Sequence, residues 1–373
     1  MNAEFFLRLT QGPLNLTWQS LVMLGVAGLL FYLAIVRGYE PLLLLPIAAG
    51  AMLANLPLSP MLGEEGMLSV LYRAGIENEL FPLLIFIGIG ALTDFGPLLE
   101  NPRMVLLGAA GQFGIFATLL LALALGFTPN EAASIGIIGA IDGPTSIYVS
   151  SLLAPHLLGP ITVAAYSYMA LVPLIMPPVI RLLTNRRERA IRMPYSQRPI
   201  SKRTRIIFPI VTTIVVGTLV PFAIPLVGSL MLGNLMRESG AVERLTGAAS
   251  NELTNIVTLF LGLAIGSTMV GVEFLRLTTL LILLLGMLAF AVDTAAGLLF
   301  GKLLSLLSMG RINPIIGAAG ISAFPMAARV VQRVATEEDF ENFLLFHAMG
   351  ANAAGQIASV VAGGVLLALM GAG

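Results

Sequence analysis

Cysteine is absent from this 373-residue chain, which excludes disulfides, thiolate metal sites and iron–sulfur clusters. Histidine occurs only at His156 and His347, too few for an all-histidine metal cage. Charge is scarce as well: 11% of the residues are Asp, Glu, Lys or Arg, where a soluble domain carries about 25%. The 20 basic and 20 acidic side chains cancel, so nothing in the charge balance points to nucleic acid. What is abundant is apolar: 57% of the chain is hydrophobic and the mean hydropathy is +0.93. Too few polar groups remain to cover a water-facing surface. A soluble globular enzyme, a disordered chain and a collagen-like chain are all excluded, leaving an all-α polytopic membrane protein.

The N-terminus does not read as a cleaved signal, because a polar stretch (TQGPLNLTWQS) precedes the first apolar run and no small-residue cleavage site follows. Residues 18–37 are the first membrane helix, about 20 residues for a hydrocarbon core of about 30 Å. Further apolar runs lie near 41–57, 80–96, 104–126, 134–155, 158–180, 206–233, 254–272, 277–300, 312–333 and 343–371. The pattern predicts about 11 transmembrane elements. The segment 181–205 holds 9 of the 20 basic residues and one acid, Glu188, which by the positive-inside rule makes it cytoplasmic.

That loop separates two related halves. PIAAGAMLANL (46–56) and PLVGSLMLGNL (225–235) share five identities in eleven at an offset of 179. IFIGIGALTDFG (85–96) matches LFLGLAIGSTMV (259–270), and IIGA recurs at 137–140 and 315–318. The expected organisation is an N-terminal helix in 1–40, a first repeat in 41–180, the basic loop 181–205 and a second repeat in 206–373. An odd number of elements in each half makes the repeats inverted. Each repeat contains a Gly/Pro-broken stretch, around Gly143–Pro144 and around Pro314–Pro325. Broken backbone at membrane depth is tolerated only inside protein or along a cavity. Inverted repeats with matching breaks mark ion-coupled transporters, so both breaks are expected near the midplane, building the site.

Asp142 stands beside the first break in a run otherwise free of charge from Ala132 to Arg181. A carboxylate there costs at least ~2.5–3.5 kcal/mol to insert, so it needs a cation, a proton or a partner. Asn313, Asn352, Ser322 and Tyr168 are candidate oxygen donors, set against duller roles as interhelical glue, packing or interface anchoring. Arg329 can hold an anion or reach the interface. Asp293 has no break beside it and reads as a structural or supporting acid, and His347 reads as packing. GLLFGKLL at 297–304 is not a phosphate-binding loop, and GIGALTDFG lacks the third glycine of a dinucleotide fingerprint.

Four motifs in order, GAIDGPTSIYVSSLLAP, AAYSYMALVPLIMPP, NPIIGAAGISAFPMAARV and HAMGANAAGQIAS, resemble the β subunit of sodium-translocating biotin-dependent decarboxylases. That family includes the oxaloacetate, methylmalonyl-CoA and glutaconyl-CoA types. The resemblance implies a decarboxylase of carboxybiotin that exports Na+ and takes up a proton. It implies Asp142 as the coupled carboxylate, Asn313 and Asn352 as sodium-binding asparagines, and Tyr168, Ser322 and Gly317 along the same path. Arg329 would face carboxybiotin. Partners implied are a carboxyltransferase and biotin-carrier subunit and a small membrane subunit, with the β subunit a trimer in the cell membrane. Neither Lys202 nor Lys302 lies in a Met-Lys-Met setting, so the chain cannot itself carry biotin. The rival reading is a stand-alone carrier, a Na+/H+ antiporter or a Na+-coupled organic-anion symporter.

Overall fold

The computed structural model describes residues 11–38, 40–194 and 200–371, and every described regular element is helical. Parts of three expected segments therefore lie outside the described residues: 1–10 and 39 of the N-terminal segment, 195–199 of the basic loop and 372–373 of the second repeat. The first half contributes α1 (Trp18–Ile35), α2 (Pro41–Asn55), α3 (Leu80–Leu92), α4 (Met104–Ala110), α5 (Phe113–Ala124), α6 (Pro129–Gly136), α7 (Gly143–Leu153) and α8 (Leu158–Leu183). After the basic loop come α9 (Lys202–Leu219), α10 (Ile224–Ser239), α11 (Thr254–Ser267), α12 (Leu277–Leu307), α13 (Met326–Glu338) and α14 (Leu345–Met370). Shorter turns connect them.

Five helical stretches are long and apolar enough to cross a membrane, or up to seven if each bent pair is one span. The sequence led to about 11 elements because apolar composition registers short and broken helices alike. Several of those stretches, such as α3 with 13 residues, are shorter than a full span. Large apolar side chains such as Leu29, Leu219, Leu280 and Leu306 face outward, as a lipid-covered surface requires.

Helices cross where glycine removes the side chain. A Cβ on Gly50 or Gly266 would overlap backbone of the other helix at the α2–α11 crossing. Gly90 and Gly233 do the same for α3 and α10. Such close approach is how apolar helices gain packing energy where lipid offers no hydrophobic drive.

The two Gly/Pro-rich stretches double back. In the first, α6 is launched by a capping box, with Thr128 and Glu131 satisfying each other's backbone N–H groups. It then tightens into a 3-10 turn over Ile137–Ala140. Ile141 follows in the left-handed region (φ 51°), unusual for a β-branched residue, and Asp142 starts α7. The ends meet again: His156 Nε2 lies 2.9 Å from Glu131 Oε1. The second stretch runs through a 3-10 segment, Pro314–Gly320, and returns as α13. Its ends are tied together too, since Asn313 and Asn342 both donate to the carbonyls of Arg189 and Ile191.

The two hairpins enter from opposite ends. α8 spans 26 residues and bends by 66° between Met169 and Leu171. The first hairpin closes just before its Leu158 end, whereas the second closes against the basic loop just after its Leu183 end. Their tips meet, where the Ser322 N–H donates to the Ala140 carbonyl at 3.1 Å.

Candidate functional site

Asp142 sits at that junction, buried, as the N-cap of α7. Its Oδ2 accepts three hydroxyls: Thr145 Oγ1 at 2.7 Å, Ser359 Oγ at 2.8 Å and Ser322 Oγ at 3.1 Å. These donors come from the first hairpin, from α14 and from the second hairpin. They replace water around a charge that would otherwise be stranded. Oδ1 takes one long bond, 3.3 Å, from the Thr145 N–H. A cavity of about 260 Å³ adjoins, lined by Asp142, Ser322, Tyr166, Gln356 and residues of α11 such as Thr258.

Unsatisfied oxygens gather around this point. Gln356 donates to the Ser322 carbonyl but its Oε1 has no partner, and the buried Tyr166 hydroxyl has none either. Asn352 donates to the Ile321 carbonyl at 2.6 Å, leaving its Oδ1 unpaired. Buried polar atoms are normally bonded, so these oxygens are available to a ligand. One carboxylate among neutral oxygens is a hard-donor set of low charge, suited to a small monovalent cation. Among the described residues no cluster of three His, Asp or Glu exists that could hold a multivalent metal ion.

Of the sequence candidates, the structure brings Asp142 and Ser322 into contact, with Asn352 on the Ile321 carbonyl next to Ser322. It puts four elsewhere. Asn313 stands at the far end of the seven-residue 3-10 segment, about 14 Å from its tip at ~2 Å per residue. There its amide holds the basic loop, and its Oδ1 accepts the Ile315 N–H. The Tyr168 hydroxyl donates to the Leu283 carbonyl of α12. Tyr166, two residues earlier and so on the opposite side of α8, is the tyrosine at the cavity, with its ring against Gly143. Gly317 packs flush on Gly297 of α12. Arg329 is exposed on α13 and has no side-chain partner among the described residues.

Thr145, Tyr166, Gln356 and Ser359 escaped the sequence reading. A signal was there: Asn352, Gln356 and Ser359 fall at i, i+4 and i+7, one polar stripe on an apolar helix. Thr145 follows Asp142 by three, the spacing of an N-cap pair. Asp293 binds the Gly114 N–H and so caps the first turn of α5 from a neighbouring helix. That is a structural role, although its Oδ2 stays unpartnered.

The basic loop is less free than its composition suggests. Arg181 pairs with Glu337, Arg186 and Arg189 with Glu338, and Arg192 with Asp339 and Glu341. The bond from Arg192 holds the Asp339 carboxyl below the usual carboxylate range. At the other end of the molecule, the His156 bond lowers Glu131 likewise.

An all-helical membrane chain with a buried carboxylate where two broken segments meet defines the class of ion-translocating membrane proteins. The chain belongs to the family described as the Na+-transporting oxaloacetate decarboxylase beta subunit, whose model matches residues 19–370. It is 53% identical over 360 residues to the glutaconyl-CoA decarboxylase subunit beta of Acidaminococcus fermentans, covering 96% of each chain. It is 54% identical over 359 residues to the methylmalonyl-CoA decarboxylase subunit beta of Veillonella parvula, covering 96% of this chain and 95% of that one. The oxaloacetate decarboxylase beta chain 2 of Salmonella typhimurium is 48% identical over 417 aligned positions, covering 95% of this chain and 96% of that one. The protein is thus a membrane subunit of a sodium-transporting, biotin-dependent decarboxylase.

Proposed function

We propose that Asp142 is the group that exchanges Na+ for a proton while carboxybiotin on a partner subunit is decarboxylated. The observation that carries this reading is the convergence of three hydroxyls on Asp142 from three separate elements. Sodium favours the ionised carboxylate, and ionisation favours sodium, so the two ligands compete. In the reaction the bond from the ureido nitrogen to the carboxylate carbon breaks and CO2 leaves. The electron pair stays on nitrogen, which takes up one proton, and sodium displaces one proton from Asp142, so the two steps balance.

Ser322 and Asn352 would complete the ion shell. Asn313, Tyr168 and Gly317 would act from the same hairpin and the helices around it, and Arg329 would steer the anion. Alternating access would come from one hairpin shifting against the other. An inverted-repeat organisation would support such a movement. Asn55 and Asn234, equivalent at the offset of 179, make matching bonds from α2 to the Met269 carbonyl and from α10 to the Thr93 carbonyl. Both IIGA copies also lie in 3-10 turns.

The partners in this reading are a biotin-carrier and carboxyltransferase subunit and a small membrane subunit. The β subunit would be a trimer in the cell membrane, with 181–205 cytoplasmic. A stand-alone carrier is not favoured, because the relatives are subunits of decarboxylases.

The test is reconstitution in liposomes with Na+ and the carboxylated carrier both outside, following Na+ uptake into the lumen and CO2 release. Both should require the carboxylated carrier and fall at least ~100-fold in Asp142→Asn, the scale of losing a main catalytic group. Flux at full rate without any biotin species would refute the reading.

A further inference from the structure

A second cavity, about 670 Å³, opens where the basic loop closes on the molecule, with Pro194 on its wall. Its polar lining includes Arg103, Arg311, His347, Glu100 and Asn101. On this face most arginines of the loop are already matched to acids at the end of α13 and just beyond it. Arg103 and Arg311 are not: neither has an ion pair among the described residues. His347 bonds the Pro194 carbonyl through one ring nitrogen. Its other nitrogen, Nε2, is buried without a partner. Two unmatched guanidinium groups and a buried orphan nitrogen share one concavity with apolar walls, the make-up of a small-molecule site.

We propose that this cleft binds the head group of N-carboxybiotin presented by the partner subunit. The claim rests on the function proposed above and adds a position that Arg329 does not line. The planar forks of Arg103 and Arg311 match a carboxylate. With its Nδ1 hydrogen given to Pro194, His347 Nε2 is an acceptor for the remaining ureido N–H, and Glu100 and Asn101 offer further acceptors. The side chain of Phe346 and the neighbouring methionines cover the bicyclic ring.

The cleft also touches the ion site through the chain itself. Arg311 is two residues before Asn313, at the base of the 3-10 segment whose tip carries Ser322 to Asp142.

The experiment measures CO2 release from free N-carboxybiotin by the full-length protein in proteoliposomes. Arg103→Ala/Arg311→Ala should raise KM about tenfold or more while half-saturating sodium stays within about twofold. Arg187→Ala, a loop arginine outside the cleft, should leave KM unchanged. Arg311→Lys, which keeps the charge without the fork, should fall between wild type and the double variant. An unchanged KM in the double variant overturns the proposal, as does an equal rise in Arg187→Ala, which would mean general charge attraction. A wild-type KM that climbs with phosphatidylglycerol in phosphatidylcholine vesicles, and stops climbing in the double variant, would assign the cleft to a lipid phosphate and overturn it too. If wild type releases no CO2 from N-carboxybiotin, the proposed function fails with it; if only the arginine effect is missing, the proposed function stands.

Discussion

The Ser322 hydroxyl donates to the Asp142 carboxylate at 3.1 Å, across 180 residues of chain. Each residue lies at the tip of a hairpin held at its base by a different end of the molecule. A shift of either hairpin therefore changes the donors around the carboxylate, and a change in the carboxylate's charge biases the hairpins in return.

The three hydroxyls on Oδ2 should each matter to sodium. A hydrogen bond to a charged group contributes about 1.5–3 kcal/mol, so Thr145→Ala, Ser322→Ala and Ser359→Ala should each raise half-saturating sodium roughly 10- to 100-fold. Ser359 Oγ and Ser322 Oγ are 3.1 Å apart, so their double variant should depart from additivity. Sodium activation curves of CO2 release check this, and strict additivity would argue against a shared shell.

Asn313 and Asn342 bond the same two carbonyls. Either single Ala variant leaves both carbonyls with one donor, while the double variant strips them. The loss in thermal stability should therefore exceed the sum of the single losses by about 1–3 kcal/mol, the cost of stranded backbone groups. Melting of the detergent-solubilised protein tests it; a coupling of zero would mean the loop is held by its ion pairs alone.

Gly317→Ala should damage folding, because the new Cβ overlaps the Gly297 carbonyl of α12. Gly228→Ala, with nothing within 4 Å of its Cβ, should be neutral or stabilising by up to about 1 kcal/mol. Yield and melting temperature of the two variants should diverge. Equal behaviour would show that the 3-10 segment can move off α12 without cost.

Acid should weaken the basic loop's attachment. Asp339 is held below its ordinary value of 3.8 by Arg192. Its contribution is complete above that value and disappears as pH falls through the lower folded value. The melting-temperature gap between wild type and Arg192→Ala should be flat above about pH 5 and shrink below about pH 4. A gap that is unchanged down to pH 3 would remove Asp339 from the account.

Several features were legible in the chain because they are local. Apolar run length marked a helical membrane protein, and a lone acid beside Gly143–Pro144 marked a residue that the structure buries where the two hairpins meet, since a carboxylate in that setting needs a specific partner. The four motifs carried the family. Asp142 and Ser322 emerged together because each stands beside its own Gly/Pro break.

What composition could not decide was whether a broken apolar stretch crosses or turns back. Both use the same residues, and only contacts between the ends, such as Glu131 with His156, distinguish them. Nor could it show that Tyr166 lines the cavity beside Asp142 while Tyr168 bonds α12, a difference set by the angle at which α8 meets its neighbours. The charge of the basic loop was plain in the sequence, but its neutralisation by Glu337, Glu338, Asp339 and Glu341 depends on residues about 150 positions away. Sequence determined which groups are costly to bury; tertiary packing decided which of them meet, because satisfying a buried polar atom takes a partner that the fold alone can bring within 3 Å.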